Sequence, residues 1–121
     1  MTELRIGIAG YGVIGKRRRG CVDANPHMNT VAVCDKKFAD DGILDDGVAY
    51  SRDYQKLFDH NLDAVLVCMS NDMAAEITIS ALNRGLHVFC EKPLSMTRAD
   101  VLRASEAVDR AGVALAEQRA A

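Results

Sequence analysis

The chain has 121 residues, 49% of them apolar, which suits one ordinary domain with enough apolar surface for a core. A formal net charge of −2 argues against nucleic acid or an anionic membrane as its main partner. No apolar run approaches the ~20 residues that span a bilayer, and the N-terminus lacks the basic-then-apolar layout of a signal peptide, so the cytoplasm is the expected setting.

The first element is a short apolar run, Leu4-Arg5-Ile6-Gly7-Ile8-Ala9, of the kind a strand buried on both faces shows. Gly10, Gly12 and Gly15 follow in the GxGxxG spacing of a dinucleotide-binding turn. Gly10 permits the sharp turn, Gly12 lets backbone approach a diphosphate, and Gly15 lets a new helix lie close to the strand. The N-terminus of that helix offers free N–H groups and the positive end of its dipole. The helix is expected from about Val13 to Ala24, with Ile14, Cys21 and Val22 inward, and stops before Asn25-Pro26. Lys16-Arg17-Arg18-Arg19 cannot share one helix face, so most of these charges should be solvated, with one free to neutralise a phosphate or face a substrate.

A second strand, Thr30-Val31-Ala32-Val33-Cys34, ends in Asp35, twenty residues past Gly15. An acid at that tip would grip the adenosine ribose hydroxyls; the plainer reading is a loop cap. Lys36 to Gly47 reads as irregular loop with at most a weak helix, and Val48-Ala49-Tyr50 as a short third strand. Ser51 or Asp53 then caps a short helix through Phe58. Asp63 to Met69 is a central strand broken by Ser70-Asn71-Asp72. A helix from Met73 to Asn83 turns Ala74, Ile77, Ala81 and Leu82 to one side and ends at Gly85. Leu86-His87-Val88-Phe89-Cys90 is the fifth strand, running into Glu91-Lys92-Pro93. Thr97 and Asp100 have capping-box spacing for a helix closed by Gly112, and Val113-Ala114-Leu115-Ala116 begins a sixth strand.

Strand and helix therefore alternate, which predicts an α/β fold: a doubly wound parallel sheet (Rossmann fold) of about six strands over residues 1–121. Cys21, Cys34, Cys68 and Cys90 stand far apart with no CxxC pair, and read as small buried apolar groups in a reducing compartment rather than as a metal site. His27 and His60 fall in loops, and His87 reads as a core or rim histidine.

In such a sheet ligands collect at the carboxyl ends of the strands. The turn at residues 10–15, Asp35, Ser70-Asn71-Asp72 and Glu91-Lys92 come from four strands and should meet on that rim. Lys92, just past a buried strand, is the candidate to hydrogen-bond a substrate hydroxyl and favour its alkoxide as hydride leaves; the plainer reading is a surface lysine. Glu91 would accept a hydrogen bond from a nicotinamide amide or pair with Lys92.

Together these motifs resemble the Gfo/Idh/MocA oxidoreductases (glucose–fructose oxidoreductase, inositol dehydrogenase and relatives), from about Leu4 to Leu115. Gly85-Leu86-His87-Val88-Phe89-Cys90-Glu91-Lys92-Pro93 is close to that family's Gly-Lys-His-Val-x-x-Glu-Lys-Pro. The resemblance implies that Gly10, Tyr11, Gly12, Val13, Ile14 and Gly15 hold the pyrophosphate and Asp35 the adenosine ribose. It implies that Asn71 lines the nicotinamide side, that Glu91 lies near the nicotinamide, and that Lys92 contacts substrate as the catalytic residue; Ser70 and Lys92 are also counted among the cofactor-binding residues. The family's Thr-Pro-Asn-x-x-His appears here as Met69, Ser70, Asn71 and Ala74, which leaves the substrate class open.

The expected function is hydride transfer between NAD(P) and a secondary alcohol or carbonyl of a sugar or polyol. Asp35 favours NAD by repelling a 2′-phosphate, while Lys36 and Lys37 leave NADP open. The family's second α/β substrate domain is expected to be absent, so the chain alone should turn over little or nothing, and exposed core or sheet edge should favour a homo-oligomer. The alternatives are a non-enzymatic NAD(P)-sensing module and a fragment of an NAD-dependent, redox-neutral glycosidase.

Overall fold

The computed structural model describes residues 3–69, 72–90, 98–112 and 115–117. Strand β1 (Leu4–Ala9) leads into helix α1 (Val13–Asp23), followed by β2 (Met28–Cys34), β3 (Gly42–Ile43), β4 (Ala49–Ser51) and α2 (Tyr54–Leu57). The second half runs β5 (Ala64–Val67), α3 (Asp72–Asn83), β6 (His87–Cys90), α4 (Arg98–Ala111) and β7 (Leu115–Glu117).

These strands form one sheet in the order β3-β4-β2-β1-β5-β6-β7. Six are parallel, as expected, and they wind outward from β1 in both directions, so the topological switch lies between β1 and β5. Alternation along β1 divides the core. Ile6 and Ile8 pack with Val22, Val33 and Val48 on the α1 face. Ala9 faces the other way, among Val65, Val67, Ile77 and Leu82. Gly7 leaves its Cα bare on that second face, where a Cβ would stand 2.7 Å from the Leu62 side chain.

Two expectations are corrected. The segment from Lys36 to Gly47 was expected to be loop or weak helix, yet it contains β3, a seventh strand antiparallel to β4. Its hairpin is closed by the Leu44 amide donating to the Val48 carbonyl at 2.8 Å, with Gly47 at φ +89° supplying the turn. Gly42 then has no Cβ to obstruct Tyr50, whose hydroxyl would lie 2.7 Å from one. Two residues are too few to show a strand's alternation, so the sequence pattern is silent there. Cys21, expected inward on α1, is exposed. The inner stripe of that helix runs through Gly15, Arg19 and Val22, at i, i+4 and i+7, and Cys21 falls about 100° off it.

The remaining element ends follow their local chemistry. The Asp53 carboxylate accepts the Gln55 amide at 2.9 Å and caps α2. Helix α3 ends in a Schellman pair, Leu86 N–H to Ala81 O at 3.1 Å and Gly85 N–H to Leu82 O at 3.0 Å, with Gly85 at φ +79°. Gly112, at φ +66°, closes α4. Thr97, Val113 and Ala114 lie outside the described residues.

Leu82 is fully buried between α3 and the sheet. Leu82→Ala is therefore expected to cost about 2–5 kcal/mol in urea unfolding, and a cost under about 1 kcal/mol would contradict this packing. Native-state alkylation should label Cys21 first and leave Cys34 and Cys90 protected, as read by mass spectrometry.

Candidate dinucleotide site

The carboxyl ends of the parallel strands lie in one row. Ala9 pairs with Cys34 on one side and Val67 on the other, Cys34 pairs with Ser51, and Val67 pairs with Cys90. The residues after those positions open onto a cleft of about 350 Å³ lined by Gly10, Gly12, Asp35, Cys68, Met69 and Met73, among others.

The glycine turn is built by contact. The Gly10 amide donates to the Cys34 carbonyl at 2.8 Å, and the Cys68 amide donates to the Ala9 carbonyl at 2.8 Å, so the turn is anchored to both neighbouring strands. Gly10 sits at φ +94°, a conformation that L side chains rarely adopt. Gly15 is the tightest position: a Cβ there would stand 1.9 Å from the Gly10 carbonyl oxygen. Gly12 differs, because nothing lies within 4 Å of where its Cβ would be. It is the N-cap of α1 and supplies no side-chain cap, while Lys16 N–H makes its helical bond to Gly12 O at 2.9 Å. The preceding amides of α1 have no carbonyl within the helix to bond, and the space beside Gly12 is open to them. An open helix N-terminus next to bare glycine backbone is the donor set a diphosphate requires, so the residues present fit a dinucleotide. Val13 is 74% exposed beside this opening, and Ile14 is half-buried.

Asp35 is half-buried at the tip of β2. One carboxylate oxygen accepts the Tyr11 amide at 2.8 Å and the other accepts the Lys37 amide at 2.9 Å. It is thus both the loop cap of the plainer reading and a carboxylate held against the glycine turn. Each oxygen keeps a lone pair for a further donor.

Below the turn, Arg19 is the member of the basic run that turns inward, its side chain only 13% exposed. It donates to the Tyr11 hydroxyl at 2.9 Å, pairs with Asp23 at 3.1 Å and also pairs with Asp46. Burial alone would lower its pKa, but hydrogen bonds to Tyr11 and Asp46 outweigh it and the pKa is raised. The Tyr11 ring stacks on Phe38 with centroids 6.1 Å apart, and Lys16 lies 5.7 Å over its face. Arg18 instead lies over Phe89 at 5.8 Å.

Of the residues singled out from sequence, Gly10, Tyr11, Gly12, Val13, Ile14, Gly15 and Asp35 come together here. Ser70, Asn71, Glu91, Lys92 and Pro93 lie outside the described residues. Sequence reasoning missed Arg52, Tyr54 and Met73 as cleft walls. The available signal was position: Arg52 follows the end of a parallel strand, the same rule that flagged Asp35.

A family model described as "Oxidoreductase family, NAD-binding Rossmann fold" (GFO_IDH_MocA) matches residues 4–118. The chain belongs to the Gfo/Idh/MocA oxidoreductase family. This Gfo/Idh/MocA chain is 35% identical over 130 residues to a myo-inositol 2-dehydrogenase of Thermotoga maritima, covering 93% of the chain and 35% of that protein. It is 33% identical over 115 residues to an inositol 2-dehydrogenase of Salmonella typhimurium, covering 90% of the chain and 34% of that protein. Among solved structures, a probable dehydrogenase from Thermotoga maritima superposes with a TM-score of 0.77 at 34% identity, over 94% of this chain and 35% of that one. The chain spans about a third of the length of these relatives. It is an NAD-binding Rossmann domain of this family. Among the described residues no helix is long and apolar enough to cross a membrane.

Two outcomes follow from this geometry. Gly12→Ala should leave urea stability within about 1 kcal/mol but weaken NADH binding at least tenfold, whereas Gly15→Ala should lose both; equal effects would contradict the assigned roles. The second concerns Cys34, whose thiol is pushed up to about 12 by burial from an ordinary value of 9.0. The unfolded chain ionises first, so stability should fall as pH rises above 9, by at most ~1.4 kcal/mol per unit from this group. Urea unfolding across pH 8–11 should show a shallower decline in Cys34→Ala.

Proposed function

We propose that this chain is the dinucleotide-binding part of a dehydrogenase that oxidises or reduces a sugar or polyol at a secondary alcohol or carbonyl, with NAD as its cofactor. The observation that carries the reading is the uncapped N-terminus of α1 at Gly12, open to the same cleft as the anchored Asp35 carboxylate. In this reading the backbone from Gly10 to Gly15, including the amides of Tyr11, Val13 and Ile14, holds the diphosphate, and Asp35 accepts the ribose hydroxyls. The apolar walls from Met69, Met73 and Tyr54 suit the adenine ring.

When bound, the nicotinamide supplies the hydride acceptor or donor. In this reading Ser70 and Asn71 would hold its side of the cofactor, and the Glu91 carboxylate would accept a hydrogen bond from its carboxamide. Lys92 contacts the reacting hydroxyl: its ammonium hydrogen-bonds the oxygen and stabilises the charge that grows there as the C–H bond breaks. Glu91 and Lys92 directly follow Cys90, whose strand ends in the same row as Ala9 and Val67. The inositol dehydrogenase relatives support a polyol as substrate class. A reducing cytoplasm suits the four free thiols.

Fluorescence titration of the chain with NADH should saturate, while NAD⁺ with myo-inositol or glucose should give no appreciable absorbance change at the NADH band. Absent binding, or brisk turnover by this chain, would contradict the reading. Lys92→Ala should leave NADH affinity within about threefold, because the lysine is assigned to substrate; a loss of tenfold or more would move it into the cofactor site.

A further inference from the structure

Tyr11 is held at its backbone and at its hydroxyl. Its amide donates to one Asp35 carboxylate oxygen at 2.8 Å, and its hydroxyl accepts from the Arg19 guanidinium at 2.9 Å. Gly10 and Gly12 flank it, so the chain is intrinsically freest on either side of this residue. Tyr11 therefore supplies the only side chain between residues 10 and 12 that can anchor the turn. Its ring is gripped as well, stacked on Phe38 with centroids 6.1 Å apart and with Lys16 5.7 Å over its face.

Arg19 is placed to hold that hydroxyl. It stands on α1, where side chains lean toward the helix N-terminus, so its guanidinium reaches back toward the turn. Each of its three nitrogens has a different partner: Nε bonds Asp23, Nη1 the Tyr11 hydroxyl and Nη2 Asp46. Both acids are themselves fixed. Asp23 accepts the hydroxyl of buried Thr30 on β2 at 2.9 Å, and Asp46 accepts the Val48 amide at 3.2 Å in the hairpin between β3 and β4. A planar guanidinium fork can join α1, that hairpin and the phenol at once, whereas a lysine ammonium is a single point charge.

The contacts run from Arg19 through Tyr11 to Asp35. With the Lys37 amide on its other oxygen at 2.9 Å, the Asp35 carboxylate is turned into one orientation, and each oxygen keeps a lone pair for a further donor. We propose that Arg19 and the Tyr11 hydroxyl are positioning residues for the adenosine ribose: they fix the Tyr11 amide, which sets the Asp35 carboxylate to meet the ribose diol. The inference rests on the dinucleotide reading above and adds to it what aims the ribose acceptor. The guanidinium and the phenol hydroxyl act through Asp35, not on the ligand.

The test is calorimetric titration of the chain with ADP and with 2′,3′-dideoxy-ADP, which share adenine and diphosphate and differ only in the diol. The unaltered chain should bind ADP about tenfold or more tighter than the dideoxy compound. Tyr11→Phe, which keeps the ring, and Arg19→Lys, which keeps the charge, should each weaken ADP at least about threefold and leave dideoxy-ADP within about twofold. In an Asp35→Ala background, adding Tyr11→Phe should change the ratio of the two dissociation constants by less than about twofold, since the carboxylate it aims is gone. Should Arg19→Lys fail to fold, Tyr11→Phe decides alone. Equal losses for both ligands, or no loss for either, would overturn this inference and leave the dinucleotide site standing. An unaltered chain that binds both ligands equally would remove Asp35 as the ribose acceptor, and one that binds neither would overturn the site itself; the proposal falls with either result.

Discussion

The contact on which the site depends is the approach of Gly15 to the Gly10 carbonyl, where not even a methyl group has room. That approach seats α1 against the end of β1 and fixes where the first-turn amides lie. The hydrogen bonds of Gly10 to Cys34 and of Cys68 to Ala9 tie the same turn to the strands on both sides. Helix position, turn shape and strand register are thus one constraint. Relaxing any of them moves the amides that would meet a diphosphate.

Electrostatics then divides the region into two layers. Beneath the turn, Arg19 is neutralised internally by Asp23 and Asp46, and its link to the Tyr11 hydroxyl holds the ring that stacks on Phe38. Phe38 in turn packs against Tyr50 with centroids 4.7 Å apart. These rings connect the glycine turn to the hairpin that follows Asp35. Above the turn, Asp35 and the cations around it face the cleft, where a ligand can reach them.

Most of the architecture was legible because it rests on strong local signals. Apolar runs marked β1, β5 and β6, and Gly85 and Gly112 marked helix ends that do require positive φ. The glycine spacing and the acid after β2 named a site whose described parts do lie together. What escaped depends on partners distant in sequence. Strand β3 exists because β4 offers it an edge, and Cys21 faces outward because Arg19 has two acids to reach from the inner stripe. Arg52 and Tyr54 join the cleft only because β4 ends in the same row as β2, which a linear reading places less surely than a motif.

Amide-resolved NMR titration of the chain with NAD⁺ tests the central claim most directly. The account predicts saturable shifts concentrated on the amides of residues 10–15, with Asp35 and Lys37 following at the same concentration. Shifts that leave those amides untouched while moving another part of the sheet would contradict it.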